Sequence, residues 1–459
     1  MADASAEGRR CMDGIAALPE DVVLEVFSRV GSVKDLFMFA VTCRRWLRRF
    51  TDPAFLRGLC PGQGEEGHRA RLLGFFFQQT RFVRCERMIK MRMTQHTSVS
   101  APTFLPAPGS PLGPMDRALT SFVADDDGTF NYAEPLAARC GIVLMQLVPR
   151  TEPMTATSHL LLGLCNPITG ERHVLPPLES YGIPRYLTSY AIITAADSDL
   201  DGKQQRPSSS GRFTFSQLLL TTQHKDDYKL YLYSYSAATC SWRAPTMCLD
   251  GRRFSLVGER SAVVHHGVAH WLCIDLVTSR AAPDDYLYKL SVEVRTARVS
   301  LTKLPVRAGG SPLLCVSRDS KLSVACVYPV HVRVWTQLGG EGGDDTPAPW
   351  LRTVIRIPMA VPYPNYSLLC QPCEKFDFNR GSMLVLYRSS GVFILDLEKK
   401  VMEKVMDCFL SLFSDKLTLN RTSVAYEMDL VEFFVLQLGG LCRESTGKKC
   451  EEFACSVMP

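Results

Sequence analysis

The chain is read as an α + β multidomain protein, a small N-terminal three-helix module followed by a large mainly-β domain built as a β-propeller. Three observations lead there. Helical apolar periodicity dominates residues 18–56. Beyond residue 60 the chain turns into short apolar runs separated by turn residues. A weak motif of strand, polar turn and strand then recurs at intervals near those of propeller blades. A β-sandwich or an irregular β-rich domain is the alternative for that second part.

The helical module comes first in the chain. Pro19 suits a first helical position, where its missing N–H costs nothing. Glu20 and Asp21 place negative charge in the first turn, against the helix dipole. Val22, Val23, Val26, Phe27 and Val30 recur at the spacing that lines one helix face. Gly31 is expected to end this helix. Ser32 and Asp35 form an S-x-x-D start signal for a second helix, whose apolar stripe is Val33, Leu36, Phe37, Ala40 and Val41. A third apolar set, Trp46, Leu47 and Phe50, lies among Arg44, Arg45, Arg48 and Arg49, and Asp52-Pro53 restarts a short helix carrying Phe55 and Leu56. A core drawn from roughly forty residues is marginal alone. It must lean on the rest of the chain, on a partner, or on both.

Strand-like runs fill the remainder: Leu72–Phe77, Gly141–Val148, Leu160–Cys165, Phe213–Thr222, Leu230–Tyr235, Val268–Ile274, Tyr286–Val294, Leu322–Val334 and Met383–Leu397. The recurring turns begin at residues 166, 235, 292, 334 and 395, so they recur every 42–69 residues. Each unit is a small antiparallel sheet that cannot bury both faces alone, and radial stacking would bury them. Phe104–Val148 is expected to supply one more unit. The resulting organisation is a disordered N-terminus at 1–13, a helical module at 14–60, a connecting segment with strands at 61–100, a β-propeller-like domain at 101–442, and a loose tail at 443–459. Polar stretches at 197–212 and 339–349 are expected to be disordered loops. Two further segments are read near the C-terminus: an amphipathic helix around Met406–Phe413 and an apolar run at Leu430–Leu441 that packs on the β domain.

Composition excludes several classes. A net charge of +5, from 52 basic and 47 acidic residues, is too mild to argue for nucleic acid. The arginines at 44, 45, 48 and 49 are read as a solvated helix face. Seventeen irregularly spaced cysteines and no secretory leader argue for reduced thiols in the cytoplasm or nucleus. No apolar run reaches the length that a membrane span needs.

Catalytic signatures are missing: there is no Gly-x-Ser-x-Gly elbow, P-loop or Rossmann fingerprint. Cys370-Gln-Pro-Cys373 is a lone C-x-x-C, and a zinc site needs a second pair. His265, His266 and His270 cluster near a strand, with alternation placing His266 and His270 on one face, and they are read as core or surface histidines. No catalytic residue, metal or cofactor is expected. Tyr181, Tyr186, Trp350, Tyr363 and Tyr366 are candidate target contacts only in that aromatic residues favour interface hot spots.

One stretch carries a family resemblance. Leu18-Pro19, the Val22–Val30 face, Lys34-Asp35-Leu36, Cys43-Arg44-Arg45-Trp46 and Asp52-Pro53-Ala54-Phe55-Leu56 follow one another in the order seen in F-box proteins. The closest likeness is to those of plants, grasses in particular. Gly31-Ser32 departs from the single Pro that many members carry there. Asn166-Pro167-Ile168-Thr169-Gly170 leading to Leu175-Pro176, Gly267-Val268-Ala269-His270-Trp271-Leu272 and Cys140-Gly141-Ile142-Val143-Leu144 resemble the F-box-associated propeller region of the same proteins. The resemblance implies the substrate-recognition adaptor of a Skp-cullin-F-box ubiquitin ligase, itself non-catalytic. It implies that Leu18, Pro19, Val22, Val26, Phe27, Val30, Leu36, Val41 and Trp46 bury themselves against a Skp-type adaptor or hold the module's core. The adaptor would link the chain to a cullin, and the β domain would hold an unidentified target protein. A non-ligase F-box scaffold is the alternative, and a propeller enzyme or sugar-binding protein a more distant one.

Overall fold

The computed structural model describes residues 19–30, 33–42, 44–59, 71–83, 95–99, 102–107, 117–118, 129–130, 133–147, 159–179, 188–194, 197, 215–223, 229–248, 254–257, 262–276, 286–308, 310–328, 331–338, 349–356, 372–378, 381–387, 391–406, 421–428, 431, 433–435 and 438. The helical module comprises α1 (Glu20–Ser28), α2 (Val33–Ala40), α3 (Arg44–Phe50) and α4 (Pro53–Leu59). Helix α1 closes at Ser28, earlier than Gly31 suggests, because Arg29 and Val30 donate to the carbonyls of Val26 and Phe27 and tighten its last turn. At the start of α4, Asp52 accepts the Ala54 N–H at 2.9 Å, the capping bond an Asp-Pro start is suited to make.

Among the described residues six antiparallel sheets of four or five strands follow and form the blades of one propeller, and a two-stranded pair, His159–Leu160 with Leu178–Glu179, accompanies them. Blade 2 is Glu134–Arg139, Ile142–Gln146, Leu162–Cys165 and Arg172–Val174. In blade 3, Thr188–Thr194, Phe215–Gln223 and Leu230–Ser236 are followed by the short outer pair Ser241–Trp242 and Thr246–Met247. Blade 4 has a split inner strand, Phe254–Val257 and Val263–His265, before Val268–Asp275, Tyr286–Glu293 and Val299–Arg307. Blade 5 is Ser311–Val316, Leu322–Val327, His331–Gln337 and Trp350–Arg356. Blade 6 is Pro372–Phe378, Ser382–Tyr387, Gly391–Asp396 and Val401–Met406. The apolar runs Leu322–Val334 and Met383–Leu397 therefore each run through two paired strands of one sheet.

Blade 1 is composite, and here the sequence reading is corrected. Its inner strand, Arg421–Met428, comes from the C-terminal part of the chain and pairs antiparallel with Arg71–Val83, from Arg71↔Met428 to Gln79↔Arg421. Thr103–Pro106 and Arg117–Ala118 complete it, and Gln95–Val99 pairs with the far end of Arg71–Val83. Residues 61–100 are thus no mere connector, because they carry the second strand of a blade. Phe104–Val148 is not one unit either, since it supplies outer strands of blade 1 and inner strands of blade 2. Joining the two ends of the domain in one sheet closes the ring and removes its open edges.

The cores confirm closure. Six buried apolar clusters lie one at each junction between neighbouring blades, from Leu144, Leu164 and Leu220 between blades 2 and 3 to Phe75, Leu105 and Leu384 between blades 6 and 1. Each sheet buries both faces against its neighbours, which accounts for the long unbroken apolar runs.

The recurring turn has one geometry. Asn166–Gly170, Ser236–Cys240, Glu293–Ala297 and Asp396–Lys400 join the third and fourth strands of blades 2, 3, 4 and 6, and each fifth residue has positive φ (75°, 49°, 56° and 57°). Only Gly170 adopts that conformation without steric cost. The Asn166 and Asp396 carboxamide and carboxylate oxygens each accept two backbone N–H bonds within the turn, the Asx geometry that offsets it.

His266 and Gly267, with φ of 47° and 70°, form the two-residue turn between Val263–His265 and Val268–Asp275. His266 therefore does not share a strand face with His270, which is buried and bonded to the Ser291 hydroxyl at 2.9 Å. Burial first, then the nearby Lys289 and His265, push its imidazole down to about 3.

Candidate partner interface

The helical module has an aromatic centre. Phe27 makes ring contacts with Phe39 (4.9 Å), Trp46 (5.1 Å), Phe50 (5.2 Å) and Phe55 (6.4 Å). Leu36 and Leu47 are buried around the same cluster, and Val30 and Val41 pack half-buried against it. Phe27, Leu36 and Trp46 are only 5%, 7% and 8% exposed. Of the two roles the resemblance implies for them, the structure shows these three in the module's core. Helix α1 turns Val22 and Val26 the other way, 39% and 52% exposed, with the Glu25–Arg29 ion pair (2.6 Å) at their rim and Pro19 exposed at the helix start. An outward aliphatic pair on a short, well-packed helix is what a partner groove takes up. Leu18 lies outside the described residues.

A second face of the module is fixed to the propeller. Phe37 contacts Phe433 (5.9 Å) and Phe434 (6.4 Å), and Phe50 contacts Phe434 (5.6 Å). Those two phenylalanines belong to a C-terminal helical segment that also buries Val431 and Leu438 in the core shared by blades 1 and 2. The described residues of the run read at Leu430–Leu441, among them Val431, Phe433, Phe434 and Leu438, pack on the β domain as expected, with the helical module as their other partner. Residues 407–413, most of the amphipathic helix read near Met406, lie outside the described residues, and Met406 itself ends a strand. The module docks where Arg421–Met428 ends and Arg71–Val83 begins, so it occupies the face of the propeller at which the inner strands terminate. The strand ends on either side of the connections 148–158, 175–187, 357–371 and 407–420 lie at the opposite face. Tyr181, Tyr186, Tyr363 and Tyr366 fall in those connections, outside the described residues, whereas Trp350 is half-buried at a strand start in blade 5.

Arg48 and Arg45 are exposed, and Arg49 lies half-buried over the Phe55 ring at 5.9 Å. With Asp52 these arginines line a shallow open cleft.

At the ends of the inner strands is a charged group that no sequence motif announced. Arg139 binds Asp197 through two bonds (2.6 and 2.7 Å) and donates to the Ile192 carbonyl. Asp197 also accepts from the Thr194 N–H and hydroxyl, so the polar stretch 197–212 begins with an ordered residue, while 198–212 lie outside the described residues. These bonds hold its carboxyl below the usual range despite burial. Asp377 on blade 6 and Glu427 on blade 1 behave oppositely. One oxygen of each is sealed from water without a hydrogen-bond partner, although each residue as a whole keeps some exposure. Desolvation pushes Asp377 up to about 8, helped by Glu427, and Glu427 up to about 7. Among the described residues no group of three or more His, Cys, Asp or Glu side chains is arranged to hold a metal ion. Cys373 of the C-x-x-C lies in a blade 6 strand and Cys370 outside the described residues.

An N-terminal helical module docked on a six-blade propeller defines a class of two-part architectures rather than one protein. Residues 15–61 match the F-box-like family, which places an F-box-like domain at the N-terminus. Residues 114–405 match the family described as Domain of unknown function (DUF7595), and the chain belongs to that family. The match spans blades 2 to 6 and, of composite blade 1, includes only Arg117–Ala118. No curated protein matches the chain. Solved structures resemble it distantly. A protein from Lactobacillus plantarum has 11% identity and a TM-score of 0.39, covering 73% of this chain and 82% of the other. TolB from Acinetobacter baumannii has 10% and 0.37, covering 76% and 66%, so the chain spans slightly under two thirds of TolB. The Nup133 β-propeller domain from Vanderwaltozyma polyspora has 9% and 0.32, covering 64% and 87%. F-box domains generally bind Skp-type adaptors, and F-box proteins are generally non-catalytic.

Proposed function

We propose that the protein is the substrate-recognition subunit of a Skp-cullin-F-box ubiquitin ligase. Its F-box-like domain binds a Skp-type adaptor, and through it a cullin, while the propeller holds a target protein. The chain performs no bond chemistry. It positions the target near ubiquitin carried by the rest of the complex, which acts through effective concentration. The observation that carries this reading is the outward Val22–Val26 pair on α1, an aliphatic surface left free by a module whose other face is occupied by the propeller. The fixed docking through Phe37, Phe50 and Phe434 supports it too, because a rigid spacing between adaptor and target suits transfer to a chosen lysine. Placement in the cytoplasm or nucleus belongs to the same reading.

Reconstitution tests it. The full chain, mixed with a Skp-type adaptor and a cullin, should co-elute with both on size exclusion, and Val22→Asp/Val26→Asp should drop out of the complex while keeping its melting temperature. Assembly with adaptor but never with cullin would leave the scaffold reading in place of the ligase one.

A further inference from the structure

Blade 5 carries a cationic and aromatic stripe on its two outer strands, His331–Gln337 and Trp350–Arg356. Register places His331 opposite Arg356, Arg333 opposite Val354, and Trp335 opposite Arg352, so all six side chains share one face of the sheet. Tyr328 stacks on His331 with centroids 4.7 Å apart and planes 12° from parallel. The Arg333 guanidinium lies 4.7 Å over Tyr328 and its Nε meets His331 Nε2 at 3.1 Å. Arg352 lies 5.9 Å over Trp335. Partial burial, then the guanidiniums of Arg333 and Arg352, push His331 below its usual value, so the arginines supply the charge at neutral pH.

Three features make this a surface rather than decoration. Among the described residues no carboxylate is paired with Arg333, Arg352 or Arg356. Val354, 49% exposed, sits between Arg352 and Arg356 on the same face. Trp350–Arg356 is also the outermost strand of its blade, hydrogen-bonded on one side only. Aromatic floors fix the guanidiniums in place and lower the entropy lost when they bind an anion. The stripe lies three blades round the ring from blade 2, and Tyr328, His331 and Arg356 are at the face away from the F-box-like module.

We propose that this stripe docks an extended acidic peptide segment of a protein partner, carrying two carboxylates flanking an aliphatic residue at alternate positions. The alternation follows from the strand itself. Arg352, Val354 and Arg356 repeat every second residue, about 7 Å apart, and an extended chain beside them repeats at the same distance. Carboxylates match the guanidiniums of Arg352 and Arg356, which have no carboxylate partner among the described residues, and the aliphatic residue covers Val354. The modest net charge of the chain, +5, disfavours nucleic acid as the occupant. Naming the segment as part of a ligase target rests on the adaptor reading; the docking itself does not.

Fluorescence anisotropy of the full chain, without adaptor, with a labelled peptide containing Glu-Thr-Leu-Thr-Glu tests it. The peptide should bind, bind more weakly as salt rises, and lose about tenfold in affinity to Arg352→Glu/Arg356→Glu, since two attractions become two repulsions of similar size. Arg352→Gln/Arg356→Gln should lie between, and Val22→Asp/Val26→Asp should bind as the parent does, which separates failure here from failure of the adaptor reading. Equal binding by the charge-reversed and parent proteins overturns the proposal, as does absence of binding at low salt. A single-stranded oligonucleotide that binds more tightly than the peptide and is lost in the same variant overturns it in favour of nucleic acid.

Discussion

Replacing Phe434 with alanine should uncouple the F-box-like module from the propeller. Phe434 is 2% exposed and touches Phe37, Phe50 and Phe433, two of them in the module and one beside it in the C-terminal segment. Truncating a buried phenylalanine removes its transfer free energy and leaves a cavity, together about 3–5 kcal/mol. A core the size of this module supplies no more than about 3–5 kcal/mol on its own. The loss therefore equals most of what keeps the module folded, while the five blade junctions other than that between blades 1 and 2 are untouched. Hydrogen exchange read by mass spectrometry is the assay. Amides of α1, α2 and α3 should exchange faster by orders of magnitude, those of blades 3 to 5 at the parent rate, and calorimetry should show an early, small transition. Unchanged protection across α1–α3 would refute the argument, because the module would then be stable without its clasp.

Three other outcomes follow from the same structure. Gly74→Ala should destabilise blade 1 by more than about 1 kcal/mol, since an added Cβ would lie 2.3 Å from the Leu105 carbonyl oxygen; denaturant melts check it. Stability should fall as pH rises from about 5 to 8.5. Asp377 and Glu427 have raised values in the folded chain, so the fold holds protons that the unfolded chain releases at lower pH. That advantage is complete below the ordinary carboxylate values and gone once pH passes about 7 and 8. Thermal melts should drop by a few degrees over that window, with Asp377→Asn/Glu427→Gln flattening the slope. Asp197 works in the opposite sense, and its contribution is lost only on acidification below the ordinary aspartate range, so Asp197→Asn should weaken the fold at neutral pH by breaking its bonds to Arg139.

The helical module was legible because its signals are local: an apolar stripe, an Asp-Pro start and the order of short motifs. Its two surfaces were not. Val22 and Val23 are neighbours in sequence, yet one faces out and the other in, and only packing decides. Blades 2, 3, 4 and 6 were legible through a turn that recurs between third and fourth strands, with Asn166 and Asp396 capping it alike, whereas the copy read at residue 334 lies inside the strand His331–Gln337. Blade 1 was hidden because Arg71 pairs with Met428, a contact that leaves no local mark. The charged group of Arg139, Asp197, Asp377 and Glu427 was hidden for the same reason, since the residues come from four blades. Alternation misplaced His266 because it counted a turn residue as part of a strand.

A calorimetric titration of the full chain with a purified Skp-type adaptor tests the central claim most directly, run beside Val22→Asp/Val26→Asp. One-to-one binding by the parent, lost in a variant that melts at the same temperature, is the predicted result. A folded parent that gives no heat, or a variant that binds as tightly as the parent, would contradict the assignment of the α1 face to the adaptor.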